Sequence, residues 1–417
     1  MTRYRLANGL EVMLAPDAAL DDVTVMVRYR VGEADDPERQ VGLAHVAEHV
    51  MFDGTPAVGP GELARQIEEA GGANVEGRVN AERTVFVESI PPGGLPLALW
   101  LEADRMAHAG ELLDKATVQR EWVVADSETV ENRQFGGSVP KDALWTEVFP
   151  AGHPYHLLGT RGSTMGLFGV SEVRDFLRTW YSPANATLIL VGHFDAGGAR
   201  ALLETDFGAL RGATPRTRPD PVQDQAPGDV RLEASSSMTA DVVTLAWRTP
   251  RSGSPEDLAL DVVSTLLESP NGQLRRDLIE SGMAWQVTAH EASLDLASYF
   301  QVEARAKRGS DLDAAAKVIL RALEDLARTL TPSQLEAAQR KRKADAIRMT
   351  EGSLPRAWRV LDCGRLDWGR YDRVDVEAIR RTLRTVILPA RRVTLRVRGT
   401  KGSTWSGEVV SREERAL

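Results

Sequence analysis

Apolar runs between polar turns mark strands at VTVMVRY (23–29), TVFVESI (84–90) and ATLILVG (186–192), and again at DVVTLAW (241–247), YFQVEARA (299–306) and RVTLRVRG (392–399). Among them, apolar positions recur with a helical period, as over Leu95–Ala109 and Leu312–Leu330. A shorter stretch is repeated outright. GELARQIEEAG (61–71) and GQLRRDLIESG (272–282) share Gly, Leu, Arg, an aliphatic residue, Glu and Gly at matching positions. Apolar residues at i, i+4 predict a short amphipathic helix in each, closed by its final glycine as a C′ cap. Strands mixed with helices in one repeated order, without regular βαβ alternation, predict an α+β protein of two homologous domains. Each is expected to be a mostly antiparallel sheet covered by helices. Between the halves lies RGATPRTRPDPVQDQAPGD (211–229), whose four prolines and missing apolar period read as an extended linker. The expected division is 1–210, a linker over 211–229, and 230–417.

Composition narrows the function classes. The 417 residues are 42% hydrophobic and 27% charged, an ordinary globular balance with length for two or three domains. A net charge of −9 makes the chain a poor candidate for nonspecific nucleic-acid binding, which needs a basic face. With Cys363 as the one cysteine, an intrachain disulfide and a cysteine-rich metal site are excluded. Apolar runs such as ATLILV (186–191) are far shorter than the roughly 18 residues that span a bilayer. Arg3 and Arg5 are followed by no apolar stretch of a signal peptide's length, so a cytoplasmic location is expected, with a truncated periplasmic form as the alternative.

The candidate chemistry lies in GLAHVAEHVMFDGT, where His45 and His49 stand four apart with Glu48 between them. On a helix these three fall within about 100° of one another. Two imidazoles at i, i+4 can ligate one zinc ion through ring nitrogens, and a carboxylate at i+3 can hold and deprotonate a water that the metal acidifies. This is the H-x-x-E-H arrangement. Two histidines and an acid are out of place on an otherwise apolar helix unless they are partnered. At the offset that lays Gly61 on Gly272, these positions become Glu256, Ala259 and Leu260, so only the first half can bind metal. His108, His153, His156, His193 and His290 have no i, i+4 partner and read as structural or surface residues. Cys363 reads as a buried thiol, the nine tryptophans as core or interface, and RKRK (340–343) as a solvated helix face.

GLAHVAEHVMFDGT resembles the active helix of the insulinase/pitrilysin-like zinc metallopeptidases, the inverzincins, and in particular their half-size bacterial members related to mitochondrial processing peptidase. The resemblance covers nearly the whole chain. RYRLANGLEVML resembles the family's opening strand pair, and LWLEADRMA (99–107), ENRQFGG (131–137), HPYHLLGT (153–160) and YSPANATLILVGHFD (181–195) resemble further landmarks. It implies two α+β domains facing each other across a chamber and zinc-dependent hydrolysis of extended peptides. His45 and His49 would be zinc ligands and Glu48 the general base. The family's third ligand is a glutamate on a later helix, with a Glu or Gln seven residues before it. Aligned through LEADRM and QRE, that ligand is Asp126 with Gln119 before it; aligned through the ADSE ending, it is Glu128 with Glu121 before it. The ungapped match favours Asp126 and side-chain reach favours Glu128. The two faces differ by about 200°, so only one can point at the metal.

Other parts of the pattern depart from the family. In AGGANVEGRVNAERT (70–84), Asn74 stands for the asparagine of an edge strand that binds substrate backbone, but Val-Glu-Gly follows it. Arg370 and Tyr371 stand for an Arg–Tyr pair that holds a substrate carbonyl in some members. Full-size members have four domains, so the resemblance implies a dimer, with itself or with a homologous subunit. The leading expectation is a zinc metalloendopeptidase or oligopeptidase with one Zn²⁺ per chain. The alternatives are a non-catalytic or weakly active peptide-binding partner subunit, and a dedicated precursor-peptide maturase.

Overall fold

A computed structural model of the chain describes residues 1–136, 139–159, 168–212, 218, 228–236, 240–364, 367, 369–400 and 409–415. Most of the expected linker 211–229 lies outside them, as do Gly137, Thr160 and the side chains of ENRQFGG. Contacts group the chain into two compact units. One is Met1–Thr129, Ser163–Pro219 and Ile347–Asp367; the other is Val130–Gly162, Asp220–Ala346 and Trp368–Leu417.

The first unit is built on strands β1 (Thr2–Arg5), β2 (Glu11–Pro16), β3 (Val23–Tyr29), β4 (Ala73–Val79), β5 (Thr84–Ile90) and β6 (Ala186–Gly192). Their order is β1-β2-β6-β3-β5-β4. Only β2 and β6 pair in parallel. β3, β5 and β6 are mostly apolar and buried almost throughout because both faces of the sheet are covered. Val25, Val27, Phe86, Leu188 and Leu190 join a core with α1 (Leu43–Val50), α2 (Glu62–Glu69), α3 (Leu95–His108), the start of α4 (Lys115–Gly136), and later helices α6 (Val170–Trp180) and α7 (Ala196–Phe207). The alternate residues Met26, Val85, Val87, Ile189 and Val191 pack against Ala357, Val360 and Leu361 of α11 (Ser353–Cys363). This covering helix comes from more than 160 residues further along the chain than β6.

The second unit repeats the plan. Strands β7 (Asp229–Ser236), β8 (Asp241–Thr249), β9 (Gln286–Ala292), β10 (Ser298–Ala306), β11 (Val393–Gly399) and β12 (Val409–Arg415) lie in the order β12-β7-β11-β8-β10-β9, with only β7 and β11 parallel. β7 to β11 take the places of β2 to β6 in turn. The outermost place, held by β1 in the first sheet, is filled here by the last strand of the chain. Val243, Leu245, Trp247 and Phe300 pack with α8 (Pro255–Leu267), α9 (Leu312–Thr329), α10 (Pro332–Arg348) and α12 (Val376–Thr382). Tyr299 points to the opposite face and meets Trp145 and Phe149, from α5 (Val139–Val148) and the residue after it. Each sheet thus takes one covering helix from the other half of the sequence.

The repeated segments are both helical, and both end as expected. Gly71 and Gly282 have φ of 80° and 78°, the left-handed conformation of a C′ glycine. His153 is buried against Phe149 and Tyr155, and its Nδ1 accepts the Tyr155 N–H at 3.1 Å. Burial, and then the charge of Arg248, push its pKa down to about 4. Among the described residues no helix is long and apolar enough to cross a membrane.

Candidate metal centre

α1 starts under constraint. Gly42 before it has φ of 95°, which glycine adopts without steric cost. The buried carboxylate of Asp36 accepts the backbone N–H groups of Gly42 and Ala44, both at 2.7 Å. It supplies acceptors that the first turn of a helix lacks. Leu43, Val46, Ala47 and Val50 are buried in the core, leaving His45 and His49 half-buried on one side with Glu48 covered beside them.

His45 Nε2 and His49 Nε2 lie 3.3 Å apart. Glu128 Oε2, from α4, is 3.4 Å from the first and 3.5 Å from the second. These residues form the one candidate group of metal donors among the described residues. Tetrahedral donors at about 2.0–2.1 Å from one zinc ion stand about 3.3–3.4 Å from each other, so the triangle fits zinc. Two imidazoles and one carboxylate are also a donor set used by catalytic zinc. Burial, and then the neighbouring His49, lower the pKa of His45, which favours the neutral ring that ligates metal.

Glu121 lies seven residues before Glu128, on nearly the same face of α4. Its Oε2 is 3.3 Å from His49 Nδ1, the ring nitrogen turned away from Glu128. The pair brought to the histidines is therefore Glu121 with Glu128. Asp126 is half-buried and outside the donor group, and Gln119 is exposed. The physical reason is the rotation of about 200° between the two faces. Glu48 is 8% exposed, and burial pushes its carboxyl up to about 7. The edge strand β4 passes close by. A Cβ at Gly77 would overlap Glu48 Oε1 and crowd Phe52, so a side chain there would displace the Glu48 carboxylate.

The remaining site candidates lie elsewhere. Asn74 has φ of 58°, at the irregularity of β4 between Ala73 and Glu76, and its amide donates to Ser89 Oγ at 3.4 Å. Arg370 and Tyr371 belong to the second unit. There the Tyr371 hydroxyl and Arg370 Nη2 donate to Asp261 Oδ2 at 2.7 and 2.9 Å, and Arg342 donates to Oδ1 at 2.7 Å. On α8, Ala259 and Leu260 are fully buried where α1 carries Glu48 and His49, so no donor stands there. Asp36 is missing from the sequence reading, and Gly77 enters it only as the glycine of Val-Glu-Gly after Asn74. A glycine inside a strand pattern signals a close approach and makes Gly77 legible. Asp36 belongs to no motif and is found only through its bonds.

Residues 11–152 match the family model described as Insulinase (Peptidase family M16), and residues 168–342 match that described as Peptidase M16 inactive domain. The chain belongs to the insulinase-like M16 peptidases. The first match contains His45, Glu48, His49 and Glu128; the second contains α8, with Ala259 and Leu260 in the places of Glu48 and His49. Among M16 relatives, the zinc protease PqqE of Helicobacter pylori is 25% identical over 360 residues, 84% of this chain and 80% of that one. The crystal structure of a protease from Helicobacter pylori shares the fold with a TM-score of 0.82 at 21% identity, covering 95% of this chain and 99% of that one. The periplasmic protease PqqL from Escherichia coli shares it with a TM-score of 0.77 at 16% identity, over 96% of this chain but 47% of that one. In sequence, the chain spans 23% of PqqL, described as a probable zinc protease. This M16 chain is thus close to the full length of one relative and about half the length of another.

Proposed function

We propose that the chain is a zinc-dependent endopeptidase or oligopeptidase acting on extended peptides, with one zinc ion held by His45, His49 and Glu128. The observation that carries this reading is the donor triangle with sides of 3.3, 3.4 and 3.5 Å. Zinc, when bound, supplies Lewis acidity that polarises the scissile carbonyl and acidifies water. The chain's own residues do the rest. His45 and His49 present Nε2 to the metal, and Glu128 presents its carboxylate. Glu121, against His49 Nδ1, fixes the orientation and tautomer of that ring. Glu48 takes the proton of the attacking water at its carboxylate and returns it to the leaving amine nitrogen. Its covered position beside β4 keeps bulk water from competing for that proton.

The chain also covers about half of PqqL, which supports a working unit of two chains, with itself or with a homologue.

Glu48→Gln tests the role of the base. The amide keeps the shape but cannot accept the proton, so zinc should stay bound while peptide hydrolysis falls by roughly 10²–10⁴-fold. Elemental analysis and turnover of a mixed peptide library read the two quantities. Near-normal turnover would refute the assignment.

A further inference from the structure

The contacts around His49 continue past Glu121. The other oxygen of that carboxylate, Oε1, accepts Arg120 Nε at 2.8 Å, and Nη2 of the same guanidinium donates to Asp53 Oδ1 at 2.5 Å. Asp53 lies four residues beyond His49, in the turn that closes α1, where its own N–H bonds the Val50 carbonyl at 3.0 Å. The path is therefore a ring. It runs from His49 to Glu121 and Arg120 on α4, to Asp53, and back to His49 through the end of α1.

Exposed arginine ion pairs usually contribute little, because water competes with both partners. This one differs in two respects. Its acceptors are well covered, with side chains 13% exposed at Glu121 and 16% at Asp53, while Arg120 itself is 53% exposed. It also joins two elements that each supply donors to one centre. A carboxylate that orients a metal-binding histidine works better when it is itself held. Glu121 would otherwise be free to turn toward solvent or away from the neighbouring carboxylates of Asp53, Glu48 and Glu128.

We propose that Arg120 is a positioning residue. By bridging Glu121 and Asp53 it locks the His49 ring and sets how tightly the site takes zinc. This rests on the reading of Glu121 and the donor triangle given above.

The test uses the full chain with Arg120→Gln, Asp53→Asn, the two together, Arg120→Lys, and Glu121→Gln for reference. Zinc affinity is read by competition with a chromophoric chelator, and the geometry of the site by the visible spectrum of the cobalt(II)-substituted protein. Arg120→Gln should weaken zinc binding about tenfold and shift the cobalt spectrum, at the lower end of the roughly 10–100-fold typical of outer partners. Asp53→Asn should weaken it less. The double variant should be no weaker than Arg120→Gln alone, because both break one path. Arg120→Lys should recover part of the loss. The metal-free proteins should unfold at the wild-type temperature, which a purely structural arginine would not allow. If Glu121→Gln weakens zinc while Arg120→Gln leaves affinity and spectrum unchanged, this inference is overturned and the zinc reading stands. If the metal-free Arg120→Gln protein loses stability in step with affinity, the positioning role is overturned as well. If Glu121→Gln has no effect, the reading of Glu121 fails and this inference fails with it.

Discussion

Around His45 and His49 the decisive quantity is the angle about the axis of α4. Glu121 and Glu128 are seven residues apart, two turns of helix, and return to within about 20° of each other. Asp126 stands about 140–160° from both, and one methylene more or less does not compensate for that. The lone pairs near the two Nε2 atoms therefore come from Glu128, at 3.4 and 3.5 Å. Glu128→Gln should lower zinc affinity by more than the roughly 10–100-fold that loss of an outer partner costs, since it removes a ligand itself. Asp126→Asn should leave affinity and hydrolysis at wild-type levels. Metal content after dialysis against a weak chelator measures both. The reverse pattern would return the third ligand to Asp126 and make Gln119 its neighbour.

Among the elements, α11, like α5, lies on the far side of the linker from the sheet it covers. It lies in the second half of the sequence, yet it closes the face of the first sheet made by Met26, Val85, Val87, Ile189 and Val191, all 2% exposed or less. Polar contacts fix it there. Thr24 and Ser353 hydroxyls are 2.7 Å apart, Arg83 donates to Asp362 at 2.6 Å, and Arg78 stacks on Trp358 at 5.2 Å. Each large apolar side chain left bare would lose about 1.5–3 kcal/mol of burial. A fragment of residues 1–210 carries the whole H-x-x-E-H helix and Glu128 but lacks α11. It should therefore aggregate or bind a hydrophobic dye, without a cooperative thermal transition. A soluble fragment 1–210 that unfolds cooperatively would show that α11 is dispensable to the first sheet.

At the scale of the whole molecule, two units of one topology have diverged in what they carry. The first keeps two imidazoles on α1; the second has Glu256, Ala259 and Leu260 at the equivalent positions of α8, with no histidine among them. One metal per chain is the stoichiometry this asymmetry supports. The chain reaches only 47% of the length of PqqL while matching its fold over 96% of itself. A pair of chains would match the length of the longer relative. Light scattering at assay concentration should therefore give twice the 45.6 kDa chain mass, alone or after mixing with a homologous partner. Full hydrolytic activity in a fraction shown to be monomeric would count against the paired form.

How much could be read without coordinates follows from the range of each interaction. The six strand runs, the long helices over 95–109 and 312–330, and the paired C′ glycines are local patterns, and a single sequence carries them. His45, Glu48 and His49 belong to the same class, because i, i+3 and i+4 on one helix settle their common face. The duplication was legible too, since it repeats such local patterns in order. Contacts between distant segments were not legible. Asp126 and Glu128 each satisfy the seven-residue spacing, and only the packing of α4 against α1 selects the face that carries Glu128. Asp36 reaches the start of α1 across a turn with no motif. Arg120 meets Asp53 across 67 residues, and α11 crosses most of the chain to cover its sheet. Periodicity fixes the face of a helix relative to itself, whereas the direction of that face depends on which distant apolar surfaces can be buried together.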